Sequence, residues 1–201
     1  MVACNTASAL ALSDIEKEID IPIIGVMKPG ARAAAAATKN GRIGVIGTES
    51  TIRSGMYSRF LQEINPNITV VGKACPLFVP LVEEGWLKDP VTEEVARRYL
   101  EELTRVEIDV LILGCTHYPL LRSTVKKVVG GQVELVNPAY ETAQELKRLL
   151  ADQDLLNPGV KEEEFPYRFY VSDAAEKFKQ FANSILPYDV RVTQQINIEE
   201  Y

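Results

Sequence analysis

Leu111-Ile112-Leu113-Gly114-Cys115-Thr116-His117 is the stretch that decides the fold. An apolar run without helical period, closed by glycine and followed by side chains that hydrogen-bond, is the pattern of a buried strand ending at a sheet rim. A segment of helical composition follows it, residues 118–129. The same order recurs at the start of the chain, where Val2-Ala3-Cys4-Asn5-Thr6 precedes a helix-like segment over 7–18. Strand, cysteine, two polar residues and helix place each thiol at the carboxyl end of a parallel strand, beside a helix N-terminus, where open α/β sheets bind ligands. Two thiols placed by equivalent elements suit chemistry that needs a pair. One example is taking a proton from one face of a carbon and delivering one to the other.

Outward from these motifs, short β-rich runs alternate with helical patterns, which predicts an α/β fold with mainly parallel sheets. The expected strands are 22–26, 42–46, 68–71, 109–113, 133–136, 168–171 and 190–193. A helix is expected over 31–39, with Pro29 suited to its first turn and Asn40-Gly41 to its end. The polar stretch 152–166, with its acidic run 162–164, has the composition of a solvated loop.

The chain has 201 residues, 46% of them hydrophobic, enough for a sizeable core. A net charge of -6 without a basic stripe argues against nucleic acid and anionic membranes as partners. No apolar stretch approaches the roughly 20 residues needed to cross a bilayer, and no signal segment opens the chain, so the expected location is cytoplasmic. Three cysteines without paired spacing fit reduced thiols, and a single histidine with no Cys-x-x-Cys argues against a metal site.

Cys4 and Cys115 are the candidate catalytic thiols, because a helix N-terminus lowers a thiol's pKa from about 8.5 toward neutrality. The alternative for each is a small buried hydrophobe. Cys75 lacks the polar pair after it and is assigned to packing. His117 suits proton exchange, or else caps a helix. Cys115 and His117 alone would also suit a thiol hydrolase. Asn5, Thr6 and Thr116 offer amide and hydroxyl groups suited to an amino acid's carboxylates. Thr48 and Thr51 form either a further anion cradle or a simple helix cap.

The segments VACNTASA (2–9), GVIGTESTI (44–52), ACPLFVPLVEEG (74–85) and LILGCTHYPLL (111–121) together resemble the glutamate racemases of the aspartate/glutamate racemase family. The resemblance covers nearly the whole chain in order. It implies interconversion of L- and D-glutamate by two-thiol proton transfer, without cofactor, supplying D-glutamate for peptidoglycan. Cys4 would face the α-carbon of D-glutamate and Cys115 that of L-glutamate, with His117 assisting on the Cys115 side. Thr48 and Thr51 would touch the substrate. Either Glu83 or Glu84 would supply a carboxylate near the histidine, although such a pair more often marks a solvated face. Two pseudo-symmetric lobes are implied, residues 1–28 with 138–201 and residues 29–137, and the assembly admitted is a homodimer. The family normally opens with a strand bearing Asp-Ser-Gly and further elements upstream of its first cysteine. None of these precedes Val2, so the resemblance implies a first lobe incomplete at its N-terminus. The alternatives are an aspartate racemase or other superfamily member, or a fragment that keeps the fold and cannot turn over.

Overall fold

The computed structural model describes residues 1–157 and 167–200, and the chain divides into two compact units, Met1–Leu156 and Asn157–Tyr201. The loop expected over 152–166 lies partly outside the described residues.

A four-stranded parallel sheet organises the first unit. Its strands are β1 (Arg42–Gly47), β2 (Thr69–Ala74), β3 (Val110–Gly114) and β4 (Glu134–Val136), in the order β2-β1-β3-β4. The two central strands, β1 and β3, are buried apart from Arg42, as parallel strands covered on both faces are. Alternate residues serve opposite faces. Ile43, Val45, Val110 and Ile112 join a core with Met27, Ala31 and Ala34 of helix α3 (Met27–Ala37) and with Tyr57 and Leu61 of α5 (Met56–Ile64). On the other face Ile46, Leu111 and Leu113 are fully buried, and Leu103 of α7 (Pro90–Arg105) lies over Gly44.

The remaining helices of this unit are α1 (Asn5–Leu10), α2 (Leu12–Glu18), α4 (Glu49–Arg53), α6 (Phe78–Glu83), α8 (Arg122–Val129) and α9 (Pro138–Asp152). At the amino end of the sheet, the Asp109 carboxylate accepts the Thr38 hydroxyl at 2.6 Å and the N–H groups of Lys39 and Asn40 at 2.6 and 2.8 Å. This clamp fastens the turn after α3 to the entry of β3. In the second unit β5 (Phe169–Val171) pairs parallel with β6 (Thr193–Gln195), and α10 (Ala175–Ile185) joins them. The sheets are parallel throughout, as the sequence implies.

Several elements differ from expectation. The strand predicted at 22–26 is reduced to one bridge, Val2 with Gly25, because Pro22 has no N–H to give a ladder and Val26 is taken up as the cap of α3. That helix begins at Met27 rather than Ala31, since Pro29 is tolerated in a first turn whose N–H groups have no helical partner. The helix predicted over 7–18 starts at Asn5 and breaks at Ala11 into α1 and α2. The one predicted over 118–129 opens with a tight 3-10 turn, Tyr118–Leu121, before α8. Strand β2 runs on to Ala74, past the Gly72-Lys73 pair that interrupts its apolar pattern. Among the described residues no helix is long and apolar enough to cross a membrane.

Candidate active site

Gly47 and Gly114 stand opposite each other where β1 and β3 end, so the residues that follow, Thr48 and Cys115, leave the carboxyl edge of the sheet side by side. Residue 114 must be glycine for this. A Cβ there would lie 2.6 Å from the Ile46 carbonyl oxygen and 3.3 Å from the Tyr57 ring.

Thr48 caps α4, its hydroxyl oxygen accepting the Thr51 N–H at 3.2 Å and donating to the Thr51 hydroxyl at 3.1 Å. The Thr6 hydroxyl completes a triangle, 2.9 Å from that of Thr48 and 3.1 Å from that of Thr51. The segment carrying Cys4 is thereby tied to the loop after β1. Each hydroxyl owns a single hydrogen, and rotation turns it toward an anion. Asn5 is buried and accepts the Tyr57 hydroxyl at 2.6 Å through Oδ1.

Cys4 caps α1, its sulfur accepting the Ala7 N–H at 3.5 Å, and it is exposed. Cys115 is 9% exposed. Burial pushes the Cys115 thiol above the ordinary thiol range, and the nearby charge of Cys4 pushes the same way. The N–H groups of His117 and Tyr118 and the Thr116 hydroxyl pull it down without offsetting burial. The helix-start environment expected to lower this thiol is therefore present but outweighed. Cys115 leaves the sheet beside Thr48, and Thr48 is hydrogen-bonded to Thr6, two residues after Cys4, so the two thiol segments meet at this edge.

His117 Nδ1 faces Cys115 Sγ at 3.9 Å and the Thr116 hydroxyl at 3.3 Å, and Nε2 lies 3.5 Å from Glu83 Oε1. Of the two candidate glutamates, Glu83 is the one near the histidine, and Glu84 is an exposed residue capping the C-terminus of α6. Cys75 belongs to the core: burial pushes its thiol up to about 12, with Lys73 pulling slightly the other way. The Tyr118 hydroxyl donates to the Cys75 carbonyl at 2.8 Å, holding the 3-10 turn after Cys115 against α6. Tyr57 and Tyr118 were not singled out in the sequence, where each looks like an ordinary apolar-face residue. Among the described residues no three His, Cys, Asp or Glu side chains form a metal ligand set. A separate groove of about 570 Å³ between α3, β4 and α9, lined by Ala33, Arg122, Glu134, Asn137 and Tyr140, includes none of these groups.

Known proteins resemble this chain along its whole length. The sequence model of the Asp/Glu/Hydantoin racemase family matches residues 1–146. A glutamate racemase of Geobacter metallireducens is 45% identical over 199 residues, 99% of this chain and 73% of that protein. One of Oceanobacillus iheyensis is 43% identical over 98% of this chain and 73% of its own length. Among solved structures, a glutamate racemase isoform of Bacillus anthracis superposes with a TM-score of 0.91 at 37% identity, covering 98% of this chain and 74% of its own. The Francisella tularensis glutamate racemase, solved in complex with D-glutamate, gives 0.89 at 34% identity, covering 98% and 73%. From the family match over most of its residues and from relatives this similar, the chain belongs to the Asp/Glu/Hydantoin racemase family.

Proposed function

We propose that the protein interconverts L- and D-glutamate, with Cys4 and Cys115 as the opposed proton carriers. The observation that carries this is the meeting, at one sheet edge, of the two thiol segments: Cys115 leaves β3 beside Thr48, and Thr48 and Thr51 form a triangle of hydroxyls with Thr6 of the Cys4 segment. One thiolate removes the α-proton from its face of the substrate, and the opposite thiol delivers a proton to the other face. Donors around the carboxylates hold the negative charge that develops between the two steps. Asn5, Thr6, Thr48, Thr51 and Thr116 are the proposed carboxylate contacts. The Glu83 carboxylate favours keeping the His117 proton on Nε2, which leaves Nδ1 to accept from the Cys115 thiol. Thiols supply both acceptor and donor, so no cofactor enters the scheme.

With this goes the division into a lobe bearing Cys4 (1–28 and 138–201) and one bearing Cys115 (29–137). The proposed setting is the cytoplasm, where the product would feed peptidoglycan synthesis, and the proposed assembly is a homodimer.

Cys4→Ala and Cys115→Ala should each lower racemisation, followed by chiral chromatography from either enantiomer, by about a thousandfold or more. Circular dichroism should show both variants folded. The 3.9 Å approach of Cys115 to His117 also fits a thiol hydrolase. That reading predicts that Cys4→Ala leaves activity intact, and such a result would displace the racemase reading.

A further inference from the structure

We infer that Tyr57 is a positioning residue, whose hydroxyl fixes the side-chain amide of Asn5 so that its NH₂ group faces the substrate. The inference rests on the racemase reading for its substrate and on geometry for everything else.

Tyr57 is 3% exposed and lies between the two thiol segments. Its hydroxyl donates to Asn5 Oδ1 at 2.6 Å, one residue after Cys4. Its ring edge stands 3.3 Å from where a Cβ at position 114, one residue before Cys115, would sit. Burial raises the phenol's pKa far above the ordinary tyrosine range, so the group remains a donor at any working pH.

With the phenol's single hydrogen donated to Oδ1, the amide oxygen faces Tyr57 and the NH₂ faces away. Asn5 forms no other side-chain hydrogen bond among the described residues. Its nitrogen is also not a sealed, unsatisfied atom, so this nearly buried side chain keeps the NH₂ in reach of solvent or ligand. An NH₂ group held in place beside Cys4, with no partner among the described residues, fits a carboxylate oxygen of the substrate. Phe at 57 would preserve the ring contact and remove only the constraint on the amide.

The test compares wild type, Tyr57→Phe, Asn5→Ala and the double variant, assayed from both enantiomers. L- and D-glutamate have equal free energies, so kcat/KM must fall by the same factor in both directions in any variant. In Tyr57→Phe, KM should rise about tenfold with kcat changed no more than about threefold, because the amide binds ground state and transition state alike. In the Asn5→Ala background, Tyr57→Phe should have no further effect. Wild-type kinetics in Tyr57→Phe, or full additivity of the two changes, would overturn the inference.

A second readout does not need turnover. The Asn5 side-chain NH₂ resonances in a ¹⁵N NMR spectrum should shift and broaden in Tyr57→Phe, while the other side-chain amides stay in place. Wild-type protein that neither binds nor turns over glutamate would refute the racemase reading, and unmoved Asn5 resonances would refute the positioning role.

Discussion

Three cysteines stand in three environments, and the differences are chemical. Cys75 is fully buried, Cys115 nearly so, and Cys4 is exposed at a helix cap. Alkylation requires a thiolate that the reagent can reach. With iodoacetamide at about pH 8, peptide mass spectrometry should find Cys4 labelled first, Cys115 at least about tenfold more slowly, and Cys75 only after denaturation. Rapid labelling of Cys75 in folded protein would contradict its place in the core. Removing Cys4 should also lower the pKa of Cys115, since a like charge that raises it is gone. Cys75 has a consequence for stability as well. Folding raises its pKa, so its contribution is whole below the ordinary thiol range and is lost as pH climbs toward about 12. The packing assignment of Cys75 could be read from its flanking residues, whereas Cys4 and Cys115 stood out as candidates through their matched context together with the family resemblance. The raised pKa of Cys115 could not be read in this way, because burial is a property of the assembled fold, and the choice of Glu83 over Glu84 depends on how α6 is rotated.

At the scale of elements, the carboxyl ends of β1 and β3 set the site, and Gly114 sets their spacing. Gly114→Ala pushes a methyl into the Ile46 carbonyl, a backbone atom that cannot swing aside. It should cost about 1–3 kcal/mol in urea unfolding and displace Cys115 enough to reduce turnover at least tenfold. Gly131→Ala, with no atom within 4 Å of the added methyl, should change stability by less than about 0.5 kcal/mol and leave turnover as it is. Equal behaviour of the two variants would show that the strand ends tolerate separation. Strands β1 and β3 were legible because burial on both faces makes them continuous apolar runs between helices. The segment 22–26 has the same composition yet forms a single bridge, since strand formation there depends on a partner and on the N–H that Pro22 lacks.

For the whole molecule, the α/β class followed from the alternation of patterns, whereas the strand order β2-β1-β3-β4 did not. Strand order is settled by long-range pairing, which leaves no mark on local composition. The hydroxyl triangle was hidden for the same reason: Thr6 meets Thr48 and Thr51 only once the start of the chain has folded against the loop after β1. Individually Thr48 and Thr51 look like helix caps, and Thr48 is one. The central claim of the proposed function is that proton removal and proton delivery are performed by different groups, and it is motivated by the meeting of the two thiol segments at one sheet edge. Isotope incorporation during turnover in D₂O tests it most directly. Starting from either pure enantiomer and sampling early, the account predicts solvent deuterium at the α-carbon of the newly formed enantiomer while the remaining substrate is still unlabelled. Equal early labelling of substrate and product would mean that one group works on both faces, and would contradict it.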